Sequence, residues 1–132
     1  MSSDSDQVNG VRGVVVSHAD LGAALVHAVE SITGITGALV PVSNDGCNRA
    51  TLDERVHAAV GDTPCVVFVD LAGGSCFRSA ARLTRDRPGL TVVAGVNLPM
   101  LIDFVFQRDA SLEDAVKHAV EAGSHGIRVV SH

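Results

Sequence analysis

The sequence lacks several residue types that often identify a protein's partners. It contains no tryptophan and no tyrosine, and phenylalanine occurs only 4 times in 132 residues. Lysine and arginine number 10 against 15 aspartates and glutamates, which gives a formal net charge of −5. Since no basic block interleaved with aromatic side chains is present, we do not expect a nucleic acid partner. The shortage of aromatic residues also requires a core of valine, leucine, isoleucine and alanine.

Cysteine and long apolar runs are scarce as well. Cys47, Cys65 and Cys76 are odd in number, and their spacing matches no zinc motif. Disulfides are therefore not implied, which suits a reducing compartment. No apolar run approaches the roughly 20 residues that cross a bilayer, and the polar residues 1–10 lack the apolar region of a signal peptide. We expect a cytoplasmic protein without direct membrane insertion, whose residues 1–10 form a disordered extension.

The remaining chain alternates regularly between two kinds of segment. Hydrophobic residues make up 46% of the sequence, and short valine-rich runs are followed by longer segments with helical spacing. This alternation is typical of βα units around a parallel sheet. The strand-like runs are 11–17, 37–42, 65–69, 91–96 and the short 127–130. We predict one α/β domain over residues 11–132, with a doubly wound, mostly parallel open sheet of about four strands plus a short final strand.

Polar residues and glycines follow three of these predicted strands. The carboxyl ends of parallel strands form the edge at which such sheets bind ligands. Taken singly, these residues have ordinary explanations, such as a helix cap for an aspartate or a turn for a glycine pair. The candidate site residues are Ser17 and His18 at the first strand, Asp70, Gly73, Gly74 and Ser75 after the third, and Asn97 and Pro99 after the fourth.

Together, three of these features could accept a phosphoryl group. Imidazole titrates near neutral pH, so its neutral form is available as a nucleophile. A carboxylate bonded to one ring nitrogen fixes the tautomer and leaves the other nitrogen free to attack phosphorus. Backbone N–H groups at a glycine-rich turn before a helix can hold phosphoryl oxygens. His18, Asp70 and the turn 73–75 can supply these three functions.

Four segments resemble the IIA component of mannose-family phosphotransferase systems. Residues 14–18 (VVVSH) resemble the family's first strand and phosphorylated histidine, and 68–75 (FVDLAGGS) resemble its strand-Asp-x-x-Gly-Gly-Ser segment. Residues 93–101 (VAGVNLPML) are close to its Gly-Val-Asn-x-Pro-Met-Leu stretch, and 121–127 resemble its end.

This resemblance implies a fold, a function and partners. It implies that the phosphocarrier protein HPr phosphorylates His18, which passes the group to a IIB component during phosphoenolpyruvate-dependent sugar uptake. It further implies that Asp70 orients the histidine, that Ser75 helps to hold phosphate, and that a final strand contributes to a homodimer interface. We expect neither a cofactor nor a resident metal.

The sequence departs from the family's pattern close to the histidine. Ala19 stands where glycine is usual, Cys76 stands where proline is common, and Ala72 replaces a bulky residue. These departures leave His18 and Asp70 in place. They are compatible with altered partner choice or with a regulatory paralogue.

Other functions stay open. A regulatory phosphoprotein would signal through His18 without passing the group to a IIB component. A receiver-like signalling domain would be phosphorylated on Asp70, but receivers need an acidic pair after the first strand to hold magnesium, and Ser17-His18 stands there. A metal site from His18, Asp20 and Asp70 is a further alternative, although three ligands without supporting hydrogen bonds decide little.

Overall fold

Four parallel strands form one open sheet. The computed structural model describes residues 10–62 and 64–132, so the predicted extension lies outside the described residues except for Gly10. The strands are β1 (Arg12–Ser17), β2 (Leu39–Ser43), β3 (Cys65–Val69) and β4 (Leu90–Ala94). Their order is β2-β1-β3-β4, and every neighbouring pair is parallel. The predicted α/β class and parallel open sheet are confirmed.

Five helices cover the two faces of this sheet. They are α1 (Leu21–Thr33), α2 (Arg49–Val60), α3 (Gly74–Thr84), α4 (Leu98–Phe106) and α5 (Leu112–His125). Helices α1, α4 and α5 pack on one face, and α2 and α3 pack on the other. None of the helices in the described part of the chain has the length and apolar character that spanning a membrane demands.

The apolar residues of the central strands, Val14–Val16 of β1 and all of β3, are covered on both faces of the sheet. All five residues of β3 are buried, as expected for an inner strand of a parallel sheet. On one face Phe68 meets Phe104 of α4 edge to face, with ring centroids 5.1 Å apart. On the other face Val67 and Val69 pack in the cluster that contains α2 and α3. This double layer holds the ends of β1 and β3 rigidly.

The direction of strand addition reverses between β1 and β3. From β1 the chain crosses to β2 on one side, and it then returns to place β3 on the other side of β1. Such a reversal opens a crevice at the carboxyl ends of the two strands, because the connections leave in opposite directions. The residues that follow β1 and β3 border this crevice.

The predicted final strand is absent from the described structure, so that prediction was wrong for the single chain. Residues 127–130 form no strand. Helix α5 lies antiparallel to α4 and ends near its start, where a Cβ on Gly126 would lie 2.6 Å from Pro99 Cγ. The chain therefore emerges at the carboxyl edge of the sheet and cannot continue as another parallel strand. Ile127 and Val129 are 76% and 92% exposed.

Candidate functional site

A histidine and an aspartate from adjacent strand ends form the centre of the site. His18 follows β1, and Asp70 follows β3. His18 Nδ1 lies 2.7 Å from Asp70 Oδ2, and the same oxygen accepts a 2.9 Å hydrogen bond from the His18 backbone N–H. Because a carboxylate accepts hydrogen bonds, the ring carries its proton on Nδ1 and a lone pair on Nε2.

Asp70 is held as a carboxylate by these contacts. Its side chain is only 6% exposed. Burial by itself raises the pKa of Asp70, but the hydrogen bonds from the His18 backbone and ring outweigh burial, so the pKa lies below its ordinary value. The other oxygen, Oδ1, accepts a hydrogen bond from the Leu71 N–H at 3.1 Å. The negative charge can therefore stabilise a positive charge on the ring.

The opposite side of the ring faces the start of α3. The His18 side chain is 44% exposed. A Cβ on Gly74 would lie 3.7 Å from both Cε1 and Nε2 of this ring, so the first residue of α3 adjoins the free nitrogen. Gly74 has a φ of +81°, which lies in the left-handed region that favours glycine. Free N–H groups and the helix dipole give this end of α3 an affinity for anions.

The glycine-rich turn lies where the sequence analysis expected it. Gly73 is the cap residue before α3, Gly74 is the first helical residue and Ser75 is the second. Ser75 is exposed, and the first turn of α3 carries no acidic side chain. The structure thus brings the turn 73–75 together with His18 and Asp70 in the crevice.

Residues around the histidine hold its loop in place. Ala19 has a φ of +52°, and its N–H donates to Asn44 Oδ1 at 3.2 Å. The Asn44 N–H in turn donates to the Ser17 carbonyl at 3.1 Å. Ser17, predicted to line the site, is buried, and its hydroxyl accepts a 2.6 Å hydrogen bond from the Gly22 N–H. Its hydroxyl therefore fixes the turn into α1.

Asn44 was missed by the sequence analysis. It is the first residue after β2, so the strand-end argument that selected His18 and Asp70 also applies to it. Its side chain and backbone bond to the two neighbours of the histidine, as described above. We assign it to the support of the His18 loop.

The two candidates after β4 have their contacts elsewhere. Asn97 Oδ1 accepts a hydrogen bond from the Met100 N–H at 3.1 Å, and its Nδ2 donates to the Gly123 carbonyl at 2.9 Å. Pro99 packs near Gly126, as noted above. Strand β3 separates β4 from β1. These contacts join α4 to α5, and neither side chain hydrogen-bonds to the histidine.

Cys76 belongs to the centre of the site. It is the third residue of α3 and is buried. Its Sγ lies 3.9 Å from His18 Nδ1. Burial, and then the charge of Asp70, raise the pKa of this thiol, so it is protonated at neutral pH. In the described part of the chain, the side chains close enough to hold a metal ion together are those of His18, Asp70 and Cys76. The alternative drawn from the sequence had Asp20 in the place of Cys76.

A basic cavity adjoins the turn on its other side. Its volume is about 230 Å³. Arg82 forms an ion pair with Asp53 at 2.6 Å. The residues lining the cavity are Asn44, Cys47, Asn48, Arg49, Leu52, Ser75, Arg78 and Arg82. Since Asp53 compensates the charge of Arg82, it is Arg49 and Arg78 that favour the approach of anionic groups to this edge of the sheet.

These features define a doubly wound α/β domain in which a carboxylate-oriented histidine lies beside a helix N-terminus at the switch point of the sheet. The chain belongs to the mannose-type IIA family of the sugar phosphotransferase system. A model of that family, described as the fructose IIA component of the system, matches residues 13–121. The predicted family membership is therefore confirmed.

Individual proteins of this family are similar to the chain in sequence or in structure. Over 91 residues the chain is 38% identical to the mannose-specific EIIAB component of the phosphotransferase system of Escherichia coli K12, covering 64% of this chain and 28% of that protein. It is 27% identical to the fructose-specific EIIA component of Bacillus subtilis, covering 89% of this chain and 85% of that protein. A crystal structure of an EIIA component from Streptococcus agalactiae shares the fold, with a TM-score of 0.84 at 22% identity over 90% of this chain and 96% of the other.

Proposed function

We propose that the protein is a phosphohistidine carrier. His18 accepts a phosphoryl group from phospho-HPr and passes it to a IIB component in phosphoenolpyruvate-dependent sugar uptake. The observation that carries this proposal is the orientation of one ring: Nδ1 is bonded to Asp70 Oδ2 at 2.7 Å, which leaves the Nε2 lone pair beside the start of α3. The family membership supports the same function.

The transfer step follows from this orientation. Nε2 attacks the phosphorus of the donor's phosphohistidine, the donor's P–N bond breaks, and its electron pair returns to the donor ring. The His18 ring retains its Nδ1 proton and becomes positively charged, so the Asp70 carboxylate stabilises the product. The N–H groups at the start of α3 stabilise the phosphoryl oxygens during transfer. Transfer to the IIB component is the reverse process with a different acceptor.

Exposed apolar residues beside the site support a protein partner. Leu21 and Leu71 are 47% and 52% exposed. Leu21 is the first residue of α1, after the loop that follows β1, and Leu71 lies in the loop that follows β3. Both therefore lie at the edge of the sheet that carries His18. Exposed apolar side chains around a polar centre are typical of sites that bind other proteins.

The proposal is tested with enzyme I, HPr and labelled phosphoenolpyruvate. The wild type should acquire one label per chain, which a IIB component then removes. His18→Ala should acquire none, whereas His57→Ala, which changes an exposed histidine of α2, should be labelled like the wild type. Labelling of His18→Ala would refute the site. Asp70→Ala should slow phosphoryl transfer clearly while its melting temperature stays close to that of the wild type.

The same assay separates the alternatives. A phosphohistidine is stable in base and lost in acid, whereas the acyl phosphate of a receiver-like domain is also lost in base. Label that disappears in base would therefore contradict the proposal. Label on His18 that no IIB component accepts would favour the regulatory phosphoprotein instead.

We also propose a homodimer. Strand β4 is an edge strand of the sheet, and an edge presents unpaired N–H and C=O groups to another strand. Residues 127–130 are exposed, and three of the four, Ile127, Val129 and Val130, are apolar. Because this segment leaves α5 at the carboxyl edge, it can add to β4 of a second copy in the antiparallel direction.

A further inference from the structure

Phosphoryl acceptance leaves the sulfur of Cys76 without a role. The thiol is buried beneath the histidine, with Sγ 3.9 Å from Nδ1. His18, Asp70 and Cys76 each offer one ligand atom, and these three atoms all lie within 4.8 Å of one another. We refer to these three side chains as the HDC cluster.

The ligand set of the HDC cluster suits a particular class of ion. A thiolate, an imidazole and a carboxylate together are ligands of zinc and of related thiophilic divalent ions, whereas magnesium and calcium prefer oxygen. Tetrahedral zinc bonds of about 2.0 to 2.3 Å place nitrogen about 3.5 Å from sulfur and about 3.3 Å from oxygen.

The two separations that involve Nδ1 are close to those values. The nitrogen–sulfur distance of 3.9 Å must shorten by roughly 0.4 Å, and the nitrogen–oxygen distance of 2.7 Å must lengthen by roughly 0.6 Å, to match zinc geometry. Side-chain rotations can supply such changes without moving β1 or β3.

We propose that the HDC cluster binds a zinc-class divalent cation and that the bound ion blocks phosphorylation of His18. The blocking step rests on the proposed function, whereas binding of the ion does not.

The ion would block transfer because it changes which ring nitrogen of His18 carries the proton. The metal takes the place of the thiol proton, which goes to solvent. It also displaces the Nδ1 proton, which moves through solvent to Nε2, so that Nδ1 has a lone pair for the metal. The ring then remains neutral only with its proton on Nε2. A protonated Nε2 has no lone pair with which to attack phosphorus. The charges of Asp70, the Cys76 thiolate and the ion sum to zero, so the complex is electrically balanced in a partly buried place.

Binding is tested with Co²⁺, which occupies zinc sites and is coloured. Titration of the full chain should produce a thiolate-to-cobalt charge-transfer band in the near ultraviolet, and Zn²⁺ should remove it by competition. Cys76→Ser should lose this band, and Cys47→Ser should keep it. A spectrum without the band, or a band that survives in Cys76→Ser, would overturn the site.

The blocking step is tested by the ratio of His18 labelling rates with and without Zn²⁺. At ten times the dissociation constant, mass action leaves about one chain in eleven free, so the wild-type rate should fall about tenfold. The ratio for Cys76→Ser in the same mixture should stay near one, which controls for effects on enzyme I and HPr. Cobalt binding with an unchanged wild-type rate would overturn the block. Cobalt binding in a chain that HPr never labels would instead refute the proposed function and leave the metal site intact.

Discussion

Ala19 places a side chain in a backbone conformation that favours glycine. Its φ of +52° lies in the left-handed region, where a Cβ approaches the carbonyl oxygen and costs about 1 kcal/mol. The residue immediately follows His18, and its N–H is bonded to Asn44. The strain is therefore stored in the loop that carries the reactive ring.

Ala19→Gly should remove this strain. We expect the free energy of unfolding to rise by about 0.5 kcal/mol, because the extra freedom of glycine in the unfolded chain offsets part of the relief. Urea denaturation at neutral pH measures the change. The control is Ala24→Gly in the exposed part of α1, which should lower the same quantity by about 1 kcal/mol. A loss of stability in both variants would show that the backbone at Ala19 is not strained.

The ionisation of Asp70 links stability to pH. Burial opposes its negative charge, yet the His18 hydrogen bonds lower its pKa in the folded state. A group with a depressed folded pKa stabilises the fold fully above its unfolded pKa, which is about 4, and loses that contribution as pH falls through the folded pKa.

Asp70→Asn should reveal this contribution. The difference in unfolding free energy between wild type and variant should shrink as the pH falls below about 4, where Asp70 of the unfolded chain becomes protonated. Urea denaturation at several pH values measures it. A difference that stayed constant down to pH 3 would show that the folded pKa is not lowered.

At the residue scale, the proximity of His18 and Asp70 was predictable from the strand ends, whereas their surroundings were not. His18 and Asp70 could be predicted because they directly follow apolar runs that become adjacent strands. Cys76 could not, since its proximity to Nδ1 depends on the angle at which α3 leaves the turn. Ser17 is next to His18 in sequence, but its side chain points the opposite way and bonds to α1.

At the scale of elements, α4 and α5 form a unit that depends on Asn97. The side chain caps α4 through Oδ1 and donates to the Gly123 carbonyl of α5 through Nδ2. A cap contributes about 1 kcal/mol, and a further buried hydrogen bond contributes a similar amount. The residue was predicted to line the site, whereas these contacts are those of a structural link.

Asn97→Ala and Asn97→Asp should separate the two interactions. Alanine loses both and should lower the unfolding free energy by about 2 kcal/mol, whereas aspartate keeps the cap and should lose less. Thermal and urea denaturation measure both variants. Since neither atom contacts the histidine, the labelling rate of folded Asn97→Asp should match that of the wild type. A large drop in that rate with normal stability would return the residue to the site.

The elements differ in how well the sequence predicted them. Strands β1 and β3 were found because continuous valine runs are typical of strands covered on both faces. Strand β4, predicted over residues 91–96, spans Leu90–Ala94, because the chain turns at Gly95, whose φ is +82°. The strand at 127–130 failed because alternation alone does not show to which edge of the sheet a helix delivers the chain.

At the scale of the whole molecule, the exposed segment 127–130 should control assembly. Deletion of residues 127–132 should convert a dimer into a monomer of about half the mass, as measured by light scattering or sedimentation equilibrium. Val129→Pro should weaken the dimer, because proline removes an N–H that a strand pair requires. His132→Pro, beyond the apolar segment, should not. A full chain that stays monomeric at 13.6 kDa would contradict the proposal.

The edge-to-face pair of Phe68 and Phe104 has a spectroscopic consequence. Because the chain has no tryptophan or tyrosine and only 4 phenylalanines, its near-ultraviolet circular dichroism comes from phenylalanine alone. The two rings sit in fixed contact between β3 and α4, so this signal reports directly on that contact and vanishes when packing is lost. The protein is also dark in tryptophan fluorescence, so any emission in a mixture belongs to its binding partner.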